Sequence, residues 1–274
     1  MTKTNLNFGF IQGRLSTPPN NELQWFPDNW EIEFPIANSL GAKFIELFTE
    51  REHNTYNPVW SNSGIDSLID NFKKNDLEIY SLCNDFIIDN NFLDKAVIDQ
   101  NILLLDQAHK LGIKKIILPF FESSEINQDN FQKFLKPLSI VLNEAKDRCI
   151  DICLETILDG NGLLNLFEYF DDDNLSVVFD TGNRVAHNHN LYDDILKLGT
   201  HVSHVHIKDK NILDQNVLLG TGLVNFSEIF DALNKIDYKG PYVFETTRGS
   251  DPILTAKFNI SVIEFFKKNS DLNG

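Results

Sequence analysis

Ser176-Val177-Val178-Phe179-Asp180-Thr181-Gly182-Asn183 is the stretch on which the reading of the fold turns. Its β-branched and aromatic run has the near-continuous apolar character of a strand buried on both faces. It stops at a carboxylate, and a glycine turn follows. Three other stretches share this grammar: Asp151-Ile152-Cys153-Leu154-Glu155, Val202-Ser203-His204-Val205-His206 and Tyr242-Val243-Phe244-Glu245. Each is a short apolar strand closed by a side chain able to carry a proton or bind a metal.

Outward from these four, strand and helix signals alternate along the chain. Earlier strands are expected at Asn7–Gln12, Lys43–Leu47, Glu78–Cys83 and Lys114–Pro119. The first helix is predicted from Asp28 to Leu40, with Asp28 and Glu31 as a capping box and Gly41 as its stop. Further helices are predicted near Ile65–Asn75, Leu93–Leu111, Asn130–Arg148, Leu163–Phe170 and Tyr192–Leu198, and from Asn225. Pro137 implies a kink or a later start for the one that contains it. Asp251-Pro252 supplies an N-cap and an N1 proline for a last helix, Ile253–Lys268.

Strands alternating with helices predict parallel βαβ units. No Gly-x-Gly-x-x-Gly turn follows the first strand, which weighs against an open dinucleotide-binding sheet. With 274 residues and no break in composition, the expected fold is α/β: a (β/α)8 TIM barrel, one domain over residues 1–274.

Charge narrows the partners. The chain has 24 Lys plus Arg against 40 Asp plus Glu, a net charge of −16, so nucleic acid is not an expected partner. A small anionic substrate held by a few local Arg or Lys residues remains compatible. Cys83, Cys149 and Cys153 make neither a paired framework nor a metal-binding spacing. Met1–Asn5 shows no apolar signal core and no membrane-length apolar run occurs. The expectation is a soluble, cytoplasmic protein with no membrane partner.

Barrel active sites lie at the C-terminal ends of the strands, and strand side chains alternate between faces. Glu155 shares a face with Cys153, Asp180 with Val178, His206 with His204 and Glu245 with Val243. The opposite face carries Leu154, Phe179, Val205 and Phe244, which suit packing beneath helices. Four inward polar tips on consecutive strands would converge at the barrel mouth. Three carboxylates pressed together repel, and a divalent cation resolves that. The oxygen-rich set with one imidazole suits Mn²⁺, Mg²⁺, Co²⁺ or Zn²⁺ with open positions for a ligand, and does not choose among them.

These motifs, with Cys153-Leu154-Glu155-Thr156, Phe179-Asp180-Thr181-Gly182-Asn183, His204-Val205-His206-Ile207-Lys208-Asp209, Gly220-Thr221-Gly222 and Phe244-Glu245-Thr246 in this order, carry a family likeness. The chain resembles the xylose isomerase-like TIM-barrel superfamily of sugar phosphate isomerases and epimerases, whose fold is shared with endonuclease IV. The resemblance implies one divalent metal bound by Glu155, Asp180, His206 and Glu245. It also implies a carbohydrate substrate whose enediolate the metal stabilises, with Glu155 and Glu245 as the catalytic acid–base pair. Epimerisation and aldose–ketose isomerisation both fit. Barrels of this type often associate, so a homo-oligomer is compatible.

Around that core, substrate contacts are expected from five residues. Asn183 stands where many relatives carry a His, and Lys208 shares the parity of His206. Glu46 is read as the end of strand two, Arg14 lies in the first long loop, and Arg248 follows Glu245. Rival readings use the same scaffold. A metal-dependent dehydratase would need the same ligands, and a non-catalytic sugar-binding protein would have little use for opposed carboxylates. An endonuclease IV-like phosphodiesterase needs more imidazoles than the chain supplies: Asn183, Asp214-Gln215-Asn216 and Cys83-Asn84-Asp85 lack them.

Overall fold

A computed structural model describes residues 6–19 and 24–273, with side chains to residue 270. Met1–Asn5 and part of the first long loop lie outside the described residues. The eight strands are β1 (Phe8–Ile11), β2 (Phe44–Thr49), β3 (Ser81–Asn84), β4 (Lys115–Phe120), β5 (Asp151–Thr156), β6 (Leu175–Asp180), β7 (Val202–Ile207) and β8 (Tyr242–Phe244). They follow one another in chain order round a closed barrel, the expected (β/α)8 class. The helices are α1 (Glu33–Leu40), α2 (Asn62–Lys74), α3 (Phe86–Asp89), α4 (Lys95–Leu111), α5 (Leu135–Asp147), α6 (Gly160–Phe167), α7 (Thr181–Ala186), α8 (Leu191–Leu198), α9 (Phe226–Lys235) and α10 (Pro252–Asn273). No described helix is long and apolar enough to cross a membrane.

The chain divides into two compact units, one of residues 1–43 with 178–274 and the other of 44–177. In the first, β8 pairs in parallel with β1 and with β7, setting Phe8 and Val205 beside Tyr242. Phe8, Phe10 and Phe244 pack edge-to-face and stacked at 5.3–5.8 Å between centroids, geometries that aromatic quadrupoles favour. In the second unit β2 to β5 pair in sequence, with Leu82 opposite Leu47 and Pro119 opposite Glu155. Phe92, Phe120 and Phe134 close that unit's core.

Several boundaries differ from the sequence reading, for local reasons. Instead of a capped helix at Asp28, a 3₁₀ turn (Trp30–Ile32) follows Asn29 without a side-chain cap, and α1 begins at Glu33. Pro35 has no N–H to give a helix begun further back, but it fits within the first turn, where amides lack intrahelical acceptors. Pro137 acts likewise: a 3₁₀ turn (Phe131–Lys133) precedes α5, which starts two residues before the proline. Strand three is shorter than expected, with Glu78 retained only in an isolated bridge to Phe44. The short α3 and α7 were not anticipated. At α10, Asp251 caps as expected, Oδ1 accepting from Ile253 N and Leu254 N at 3.0 and 2.9 Å.

Candidate metal centre

Asp180 ends β6 and also opens α7. Its Oδ1 accepts a 2.6 Å hydrogen bond from Asn183 N, so the Asp-Thr-Gly-Asn turn fixes the carboxylate and leaves Oδ2 for other partners. His206, next to last in β7, places Nδ1 3.1 Å from Glu245 Oε2 and 3.9 Å from Asp180 Oδ2. Glu245 follows β8 directly, and its amide donates to Ile207 O at 3.1 Å. Asp180, His206 and Glu245 are buried, and each offers a ligand atom within 4.8 Å of the others. This is a buried Glu/His/Asp cluster of the kind that holds a divalent metal.

Two cations attend the cluster. Lys208 Nζ lies 2.8 Å from Glu245 Oε1 and 3.1 Å from Asp180 Oδ2, and 3.4 Å from Asn183 Oδ1. Arg14 Nη2 lies 3.4 Å from Glu245 Oε1 and donates to Gln24 Oε1 at 2.6 Å. Burial alone would raise the Glu245 carboxyl. Lys208, His206 and Arg14 outweigh it and hold the group well below the usual carboxylate range.

Asp180 Oδ2 is buried and accepts no well-directed hydrogen bond, although the Lys208 ammonium is close in charge. An oxygen in that state suits a cation without directional demands. Two carboxylates and an imidazole form a donor set for a hard or borderline divalent ion. The residues fit.

Lys208 is fixed by contacts that sequence patterning does not reveal. Its amide donates to Thr181 Oγ1 at 3.0 Å, and that hydroxyl donates to Lys208 O at 2.6 Å. A Cβ at Gly182 would come within 2.7 Å of Lys208 Cγ, so the glycine of the turn lets the lysine stem pass. Asp209, quoted only as part of a motif, ties down the following loop: Oδ2 accepts from Gly220 N and Gly222 N at 2.9 Å, and Oδ1 from Val224 N at 3.1 Å. Glu33 accepts from Gly13 N at 2.6 Å and Leu15 N at 3.0 Å, positioning Arg14 between them. An acid inside an amphipathic helix pattern gives no hint of that task.

Of the other residues singled out by the sequence, Arg248 is buried and its Nε donates to Gly13 O at 2.6 Å. His204 is fully buried, its ring 5.3 Å from that of His206. Glu155 and Glu46 belong to the other unit. Glu155 is the fifth residue of β5 and 5% exposed. Glu46 is not at a strand end, because the apolar run continues through Leu47 and Phe48 to Thr49. It is fully buried and accepts from Ser81 Oγ at 2.6 Å.

A parallel barrel with its acids and imidazole at the C-terminal strand ends places the chain in the (β/α)8 class. Residues 34–265 match the model of the xylose isomerase-like TIM barrel family, and the chain belongs to that family. L-ribulose-5-phosphate 3-epimerase UlaE of Escherichia coli O1:K1 / APEC is 24% identical over 234 residues, 79% of this chain and 81% of that one. The uncharacterized protein MJ1311 of Methanocaldococcus jannaschii is 29% identical over 141 residues, which is 47% of either chain. The solved structure of L-ribulose 3-epimerase superposes with a TM-score of 0.78 at 16% identity, covering 98% of this chain and 96% of that chain. At that identity the likeness shows the fold.

Proposed function

We propose that the chain is a divalent-metal-dependent epimerase or isomerase of a sugar or sugar phosphate. The observation that carries this is the buried cluster of Asp180, His206 and Glu245 around one 4.8 Å locus, in a family whose relatives include sugar 3-epimerases. Glu155 is the fourth ligand in this reading, because it stands next to last in β5, as His206 does in β7, on the face that it shares with Cys153. Manganese is the preferred ion, and the chain works as a single domain in the cytoplasm.

A bound divalent ion supplies Lewis-acid polarisation of a carbonyl and its neighbouring hydroxyl. The protein's own groups do the rest. Glu245, held ionised by Lys208 and Arg14, enters as the proton acceptor for the carbon beside the carbonyl. Glu155 delivers a proton to the opposite face, which inverts that carbon. Asn183 and Lys208 hydrogen-bond substrate oxygens, and Arg14 positions Glu245. Glu46 acts from deeper in the barrel.

The test is C–H exchange. Candidate ketoses and aldoses are incubated with the protein in heavy water with Mn²⁺, and deuterium is sought at the carbon beside the carbonyl. Glu155→Gln and Glu245→Gln are expected to lower exchange by about 10²–10⁴-fold, the usual scale of general acid–base catalysis. Full exchange by either variant removes the role assigned to that residue.

A further inference from the structure

The outer surface of α10 differs in kind from that of its neighbour α9. There Ile229, Phe230 and Leu233 are buried and Ser227, Glu228 and Lys235 are exposed, an ordinary amphipathic pattern. α10 buries Ala256, Ile260 and Ile263, yet Leu254, Phe258 and Phe265 are 66%, 44% and 62% exposed. With Ser261 among them they stand at i, i+4, i+7 and i+11, one stripe along the helix. Single exposed hydrophobics are common, but a contiguous row of large ones marks a contact surface. The row also widens sideways. The loop after β7 exposes Leu218 and Leu223, and a Cβ at Gly220 would stand 3.9 Å from Val262 Cγ1. That loop therefore lies against α10 within one turn of both phenylalanines. The surface is held in place from behind: Asp209 binds three amides of the loop, Phe266 packs on Phe226 at 5.9 Å, and Asn259 donates to Thr246 Oγ1 at 2.9 Å.

Charge selects the occupant. The chain has a net charge of −16, but the described side chains of α10 include Lys257, Lys267 and Lys268 with Glu264 as their only acid, which weakens repulsion between copies at this face. Lys257 and Glu264 flank Ser261 along the same stripe. An antiparallel copy crossing at Ser261 sets each Lys257 against the other copy's Glu264, and each Phe258 against the other copy's Phe265. Ser261 is small, and its hydroxyl donates to Lys257 O at 3.0 Å, so two helices can approach there without stranding a polar group. We propose that α10 and the loop after β7 form the interface of a two-fold homodimer, an antiparallel helix pair centred on Ser261. In a two-fold contact one patch meets itself, so every pair is made twice. The interface does not rest on the sugar reading.

Sedimentation equilibrium of the full chain over a concentration series reads the association directly. A monomer–dimer equilibrium is expected. Phe258→Glu should weaken it about 100-fold, since the loss of a central aromatic contact is felt twice. Lys257→Glu, at an exposed position, brings like charges together across the two-fold and should weaken it about 10-fold. Adding Glu264→Lys to that variant restores opposite signs and should return the parent's dissociation constant. The two residues lie two turns apart on one helix, beyond pairing distance, so the rescue acts only between copies. Circular dichroism checks the fold of each variant, and the charge reversal keeps the test standing where Phe258→Glu misfolds. A monomer at every concentration overturns the proposal. So does association untouched by Phe258→Glu or Lys257→Glu, or a double variant that stays as weak as Lys257→Glu. Capture of a monomeric chain by phosphatidylglycerol vesicles, lost in Phe258→Glu, gives the face to a membrane and overturns it as well.

Discussion

At the scale of single residues, Lys208 has the most to say. Its ammonium sits between two carboxylates that a divalent ion would also claim. Lys208→Met therefore has opposite effects on the two states. The metal-free protein loses about 3 kcal/mol, the scale for removing one partner of a buried ion pair. Affinity for Mn²⁺ rises about 10-fold or more, because no competing cation remains. Denaturant melts and manganese electron paramagnetic resonance measure the two effects, and an unchanged affinity would show that the ammonium does not contest the site. Glu245 adds a pH dependence. Its folded pKa is depressed, so the stability it contributes is complete above the unfolded value of about 4.3. That stability is lost as pH falls through the folded value. In metal-free protein, Glu245→Gln should flatten the fall in melting temperature below about pH 4. The sequence made Asp180, His206 and Glu245 legible, because a charged tip on an apolar strand conflicts with packing. It did not reveal Thr181, Asp209 or Glu33, whose partners lie 27, up to 15 and up to 20 residues away.

At the scale of elements, the site depends on two loops and a turn. Asp209→Asn replaces an acceptor of three backbone N–H groups with a weaker, partly donating side chain. A loss of about 2–3 kcal/mol is expected in urea titrations, since hydrogen bonds to charged groups are worth about 1.5–3 kcal/mol. Gly182→Ala puts a methyl group 2.7 Å from Lys208 Cγ, so Mn²⁺ binding should change although no ligand is touched. An unaltered binding curve would mean that the lysine stem yields freely. Elements with strong periodicity, such as α4 and β6, were legible to within two residues of their ends. The start of α1 was not, because Pro35 sets it through an absent amide rather than through any apolar pattern, whereas the later start of α5 was legible in Pro137. The short α7 escaped notice because its cap is also the candidate ligand, Asp180.

At the scale of the whole molecule, charge and ligand linkage set the behaviour. With a net charge of −16, duplex DNA should show no binding by fluorescence anisotropy at physiological salt, where non-specific contacts depend on clustered basic groups. A ligand that binds only the folded chain adds stability by mass action, about 2.7 kcal/mol at 100 times its Kd. Mn²⁺ should therefore raise the melting temperature, and a chelator should return it to the metal-free value. A midpoint indifferent to both would count against a resident ion. The alternation of strands and helices made the barrel legible, since eight βα units have few ways to bury their sheet.

Closure between β1 and β8 has a consequence in time. Arg14 and Glu245 are 231 residues apart in sequence, and β1 lies beside a strand near the other end of the chain. At about 5–20 residues per second of synthesis, the arginine waits roughly 10 to 50 s for its carboxylate. During that interval the first strand has an unmade edge. The centre is therefore complete only once β8 has been made, and a ribosome stalled before Tyr242 would hold a chain with Asp180 and His206 already made but no Glu245 to join them.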